Sequence, residues 1–288
     1  MSRRSPATET MDHTQNERIL RPTRGLTGLK LGELWRFREL LGLLAWRDVL
    51  IRYKQTYLGV AWAVLQPVLT MVVFSVLFGR LAKFDSRGAP YAVLVLAALL
   101  PWQFFASALT ESSNSLVASA RIISKVYFPR LIIPVSAVLG GILDMLIATG
   151  ILLVLMPFYG VAFRPHLLLL PLFFLAAFLP ALAAGVWFSA LNVKYRDVRY
   201  VVPFFTRIGM YVTPVGFIWQ TLVPQKWWLA YNLNPLVGAI DGFRWCVLGD
   251  AFLPWWPGFW MSMAVTVVLL ILGLAYFRQV EKSFADIV

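Results

Sequence analysis

The chain of 288 residues has one cysteine, Cys246, two histidines, His13 and His166, and only 14% charged residues. A single cysteine excludes an intrachain disulfide and any cysteine-based metal site. Neither histidine sits in a ligand or catalytic motif. The sequence has no HExxH, no Gly-rich phosphate loop followed by Lys and Ser or Thr, and no nucleophile elbow. Without that phosphate loop the chain is not expected to hydrolyse ATP. No metal and no cofactor is expected on it. The scarcity of charge excludes an ordinary soluble domain of this length. Residues 1–24 are polar and lack the apolar core of a secretory signal, so 1–29 are expected to be a disordered tail.

What the chain has instead is apolar length, with 59% hydrophobic residues. About 20 apolar residues cross the hydrocarbon core as a helix, and helices satisfy their own backbone in lipid. Six runs qualify: 57–81, 90–109, 131–159, 167–191, 200–219 and 257–277. The expected fold is an all-α polytopic membrane protein with six transmembrane helices across 57–277. Prolines 67, 203 and 214 are expected to kink their helices. Of the 26 Lys and Arg, 19 fall on the side that holds residues 1–56, the connections 110–130 and 192–199, and the tail 278–288. This bias predicts that both termini face the cytoplasm. It also gives the net charge of +12 a topological origin, so nucleic acid is not an expected partner.

Residues 30–56 carry Leu34, Phe37, Leu41 and Leu44 at helical spacing, interrupted by Gly42 and Asp48. They read as an amphipathic helix at the membrane surface with Trp35 and Trp46 as anchors, or as a cytosolic helix on another subunit. The external segment 221–256 is too apolar for a solvated loop, and seven of the twelve tryptophans lie between Trp219 and Trp260. It reads as short re-entrant helices, as an outer aromatic belt, or as both. Asp144 and Arg207 are ionisable residues inside spans, ~20 Å and ~12 Å from the cytoplasmic ends at ~1.5 Å per residue. Each needs a partner or a wet cavity, as a pore-lining pair or as a structural contact. Aromatics make up 15% of the chain and suit lipid, packing or passing sugar rings; Trp62, Phe74, Trp102 and Phe105 are the pore candidates.

Several stretches share one likeness. They are Arg47-Asp48-Val49-Leu50-Ile51-Arg52-Tyr53-Lys54 before Leu58-Gly59; Leu100-Pro101-Trp102-Gln103-Phe104-Phe105; Lys125-Val126-Tyr127-Phe128-Pro129-Arg130; Asn192-Val193-Lys194-Tyr195-Arg196-Asp197; Thr213-Pro214; Asn234-Pro235; and Glu281 to Ile287. From about residue 33 onward, their order and spacing resemble the permease subunits of ABC exporters for O-antigen, capsule and teichoic acid.

The resemblance implies two permease copies forming the pore, and two ABC ATPase subunits that hold ATP and Mg on the cytoplasmic side. It implies a substrate polysaccharide linked to undecaprenyl diphosphate. Arg121, Ile122, Lys125, Tyr127 and Phe128 then match the coupling helix that docks on the ATPase. Residues 30–56 match the interfacial helix, whose basic end at Arg47, Arg52 and Lys54 is the candidate contact for the lipid diphosphate. Segment 221–256 matches external re-entrant helices. The competing readings are a permease of the same architecture for a drug or small amphiphilic lipid, an ion-coupled transporter, and an intramembrane enzyme. No repeat supports the second, and one Asp within the spans is poor material for the third.

Overall fold

A chain that crosses lipid must satisfy its backbone within each segment. The computed structural model describes residues 31–54, 59–123, 125 and 128–281, and among them the regular structure is helical, with no strand. The expected tail 1–29, Leu58, Tyr127 and residues 282–287 of the C-terminal motif lie outside the described residues. The principal helices are α1 (Arg38–Lys54), α2 (Gly59–Phe74, running into a π-helical stretch at Ser75–Leu81), α3 (Tyr91–Ala118), α4 (Ile132–Gly140), α5 (Ile142–Phe158), α6 (Leu170–Lys194), α7 (Val198–Val212), α8 (Val237–Leu248) and α9 (Trp256–Glu281).

Among the described residues, five stretches are long and apolar enough to cross a bilayer: Ala61–Leu81, Tyr91–Ala118, Ile132–Phe158, Pro165–Lys194 and Trp256–Glu281. The protein is an all-α polytopic membrane protein. The sixth expected span, 200–219, is a shorter helix. α7 has 15 residues, roughly 22 Å at ~1.5 Å per residue, against a hydrocarbon core of about 30 Å. It stops because Thr213 is extended, with φ −81° and ψ 144°, as the residue before a proline prefers. Pro214 thus lies beyond the helix rather than kinking it, whereas Pro67 and Pro203 lie inside α2 and α7.

The second span runs further than its apolar run. The polar residues after Leu109 stay helical because their side chains find acceptors within the fold. Ser113 Oγ donates to Thr110 O at 2.9 Å, and Ser112 Oγ donates across to Pro134 O of α4 at 3.1 Å. Asn192 Nδ2 of α6 donates to Ser113 O at 2.8 Å, tying the two helices at this end. The third span is broken at Gly141 between α4 and α5, where a Cβ would come 3.3 Å from Phe104 Cε2.

α3 is the central helix. Of its apolar stretch 83% is buried within the chain, against 17% for the first span. α3 packs most extensively on α6, and α6 in turn on α9. Lipid supplies no hydrophobic drive for such contacts, so small residues that let backbones approach carry them. A Cβ at Gly185 of α6 would meet Ser112 Oγ at 2.8 Å, and Ala181, Ala183 and Ala190 of the same helix are wholly buried. A second apolar cluster joins Leu44 of α1 with Leu116, Phe128, Ile132, Val186, Phe277 and Val280.

Candidate functional site

α1 is held on one side and bare on the other. Leu44 and Val49 are buried, while Leu43, Trp46, Leu50 and Ile51 are exposed. α1 packs along α4 and passes Gly140, where a Cβ would lie 3.8 Å from both Ala45 O and Asp48 Cβ. That close approach carries the end of α1 to the first turn of α5. There Arg52 Nη1 and Tyr53 Oη both donate to the Asp144 carboxylate. Arg52 Nη2 lies 2.6 Å from Glu111 Oε1 of α3. One arginine therefore joins α1, α3 and α5.

Burial opposes the Arg52 charge, but Glu111 and then Asp144 outweigh it and hold the guanidinium pKa above its ordinary value. Burial, followed by the bond to Asp144, pushes the Tyr53 phenol up, so it remains a donor.

Beside this cluster lies a cavity of about 570 Å³. Arg52, Tyr53 and Asp144 form part of its wall, with Trp62 and Gln66 of α2, and Gln103, Phe104 and Ser107 of α3.

The intramembrane pair suggested by the sequence is not formed. The partners of Asp144 are Arg52 and Tyr53, and Arg207 is exposed on α7. Among the basic residues at the end of α1, Arg52 is engaged by two carboxylates. Arg47 Nη2 lies 2.7 Å from Asp48 Oδ1 on the same helix, and Lys54 is exposed.

Of the four aromatic pore candidates, Trp62 is 56% exposed and lines the cavity. Phe74, Trp102 and Phe105 are buried in the chain's own core, because the apolar part of α3 is largely covered by its neighbours and Phe74 packs against the turn at Gly216. The Trp102 ring fills the notch at Gly209 of α7, where a Cβ would come within 2.7 Å of it.

The exposed aromatic face is elsewhere, on α7. Tyr200, Phe204, Ile208 and Tyr211 recur at helical spacing with Phe205 beside them, all exposed, and Arg207 shares the outward surface. The stripe is readable in the sequence. Treating 200–219 as one uniform span hid it.

In the stretch read as a docking helix, Ala120–Ile123 is a single helical turn, with Arg121, Ile122 and Lys125 exposed. Phe128 departs from the expected surface set. It is 6% exposed and packed among Leu116, Ile132 and Phe277, since the chain turns back into the fold before Pro129. Arg130 Nη1 donates to Glu281 O at 2.5 Å, fastening this connection to the end of α9.

Segment 221–256 is a packed unit. Trp219 is fully buried, stacks on Tyr231 at 5.3 Å and meets Trp228 and Trp255 edge-on. α8 is buried along most of its length against α3, α6 and α9. Arg244, within this segment, is 2% exposed. Among the described residues no three His, Cys, Asp or Glu side chains converge as metal ligands.

Residues 39–248 match the family described as ABC-2 type transporter. The O-antigen export system permease protein RfbA of Klebsiella pneumoniae is 29% identical over 255 residues, covering 86% of this chain and 95% of that protein. The protein of the same name from Myxococcus xanthus is 28% identical over 255 residues, covering 88% and 97%. The polysialic acid transport protein KpsM of Escherichia coli is 22% identical over 246 residues, covering 82% and 92%.

Proposed function

The chain belongs to the ABC-2 type transporter family, and from that premise we propose that it is the transmembrane subunit of an ATP-driven exporter of lipid-linked polysaccharide. Two copies form the passage. Two ABC ATPase subunits supply the hydrolysis, since this sequence carries no phosphate loop. The relatives that align over nearly their whole length are named for O-antigen and polysialic acid, both polysaccharides. The site is the bacterial inner membrane with both termini cytoplasmic, a reading supported by the 19 of 26 Lys and Arg on one side. The carrier is undecaprenyl diphosphate, met at the basic end of α1 by Arg47 and Lys54. The external segment 221–256 closes the passage from outside as re-entrant helices.

The observation that carries this reading is the outward face of α7. Arg207 stands there among Tyr200, Phe204 and Tyr211, exposed on a helix in the middle of the chain's apolar region. A charge facing lipid at a helix centre costs about 2.5–3.5 kcal/mol on insertion scales. Turning that face to a water-filled passage between two copies removes the cost. It also lays rings, with their weak and equivalent contacts, along the route of a sliding glycan.

Cysteine labelling tests it. Native Cys246 is buried, so background is low. Ile208→Cys should react with a charged, membrane-impermeant thiol reagent, and Val268→Cys on the exposed face of α9 should not. Equal protection of the two positions would place α7 against lipid and remove the passage.

A further inference from the structure

Three uncharged polar side chains in bilayer-crossing helices face the 570 Å³ cavity: Gln66 in the first span, and Gln103 and Ser107 in the second. Among the described residues, none makes a hydrogen bond with the Gln66 amide, the Gln103 amide or the Ser107 hydroxyl. Gln66 is exposed, and Gln103 and Ser107 are half-buried at the cavity wall, so all three can bond a ligand that enters it. Trp62, 56% exposed, lies four residues before Gln66 and therefore on the same helix face. An indole face beside amides is the chemistry that recognises a sugar ring. The ring's C–H face lies on the indole, and its hydroxyls exchange hydrogen bonds with the amides and the serine. The volume falls in the roughly 300–1,000 Å³ range of small-ligand sites.

The charge at the wall selects among ligands. Arg52 at the wall is engaged by Asp144 beside it and by Glu111 beyond the cavity. A diphosphate placed there would have to compete with these carboxylates for the guanidinium, whereas an uncharged ring would not. We infer that this cavity is a subsite for a neutral sugar residue of the exported glycan, held by Trp62, Gln66, Gln103 and Ser107, while the carrier diphosphate is held elsewhere. The inference rests on the polysaccharide-export reading.

The test is equilibrium binding of two synthetic lipids to the full-length chain in nanodiscs. One is a polyprenyl diphosphate bearing a single N-acetylglucosamine, and the other is the bare polyprenyl diphosphate. The sugar-bearing lipid should bind about tenfold more tightly, the yield of one or two net hydrogen bonds. Gln103→Leu and Trp62→Ala should each bring that ratio close to one, and Trp62→Tyr should keep it. All three variants should bind the bare lipid as the parent does, which shows that they are folded. A ratio near one in the parent, or a ratio unmoved by Gln103→Leu and Trp62→Ala, overturns the sugar subsite and leaves the export reading standing. Binding of neither lipid overturns the subsite together with the lipid-linked substrate.

Discussion

Replacing Arg244 with Leu should destabilise the protein by about 3–5 kcal/mol, the cost of removing one member of a buried charged network. Arg244 Nη1 donates to Phe217 O at 2.9 Å, Nη2 to Val215 O at 3.0 Å, and Nε to Leu94 O at 3.4 Å. The fork of one guanidinium thus ties α8 to the turn after α7 and to the start of α3. The Tyr91 hydroxyl donates to Gly216 O in the same turn. Leucine leaves three buried carbonyls without their donor. It also leaves Asp241, 6% exposed and accepting from Trp219 Nε1 at 2.8 Å, without the opposite charge it feels from Arg244. Arg244→Lys should recover little, because an ammonium cannot span three carbonyls in fork geometry. Asp241→Asn should cost only about 1 kcal/mol, since the amide oxygen still accepts from Trp219. Thermal unfolding of the variants in nanodiscs checks the order, and an Arg244→Leu protein as stable as the parent would show that the turn is held by other means.

The triple variant Arg121→Ala, Ile122→Ala, Lys125→Ala should lower transport-coupled ATP hydrolysis about tenfold or more while leaving the permease folded and inserted. These side chains are exposed at a short helical turn between α3 and α4, and truncating a small cluster at the centre of an interface commonly costs about 2 kcal/mol or more. Phe128→Ala should behave differently. Its ring is buried among Leu116, Ile132 and Phe277, so truncation should cost about 3–5 kcal/mol of folding and reduce the amount of protein rather than the coupling of what remains. Comparing hydrolysis per inserted permease separates the two. Undiminished coupling in the triple variant would move the ATPase contact elsewhere.

The long helices were legible because apolar length has one physical reading in a bilayer, and five of the expected spans appear, four of them within about four residues at each end and the second extended to Ala118. The errors share a cause as well. A run of apolar residues reports total hydrophobicity and says nothing of where a helix ends or what it touches. Leu109 closes the apolar run, but α3 continues to Ala118, where Ser112 Oγ donates to Pro134 O and Ser113 O accepts from Asn192 Nδ2, partners that only the folded chain supplies. Pro214 marks the end of α7 by the rule for residues before proline, which was visible but outweighed by hydropathy.

The partner of Asp144 was not legible at all. Arg52 is distant in sequence, and only the passage of α1 over Gly140 brings it near. Arg244 was hidden for the opposite reason. It sits in a stretch expected to be external, where an arginine ordinarily marks solvent, and nothing local announces the three carbonyls around it. The exposed stripe on α7 was there to be read, at positions 200, 204, 208 and 211.

The most direct test of polysaccharide export is deletion of this chain from its host, with lipid-linked polymer measured inside the cell and at the surface. The account predicts loss of surface polymer and its accumulation in the cytoplasm, reversed by the parent chain. Unchanged surface polymer in a strain with no second exporter would contradict it and reassign the same architecture to a different amphiphile.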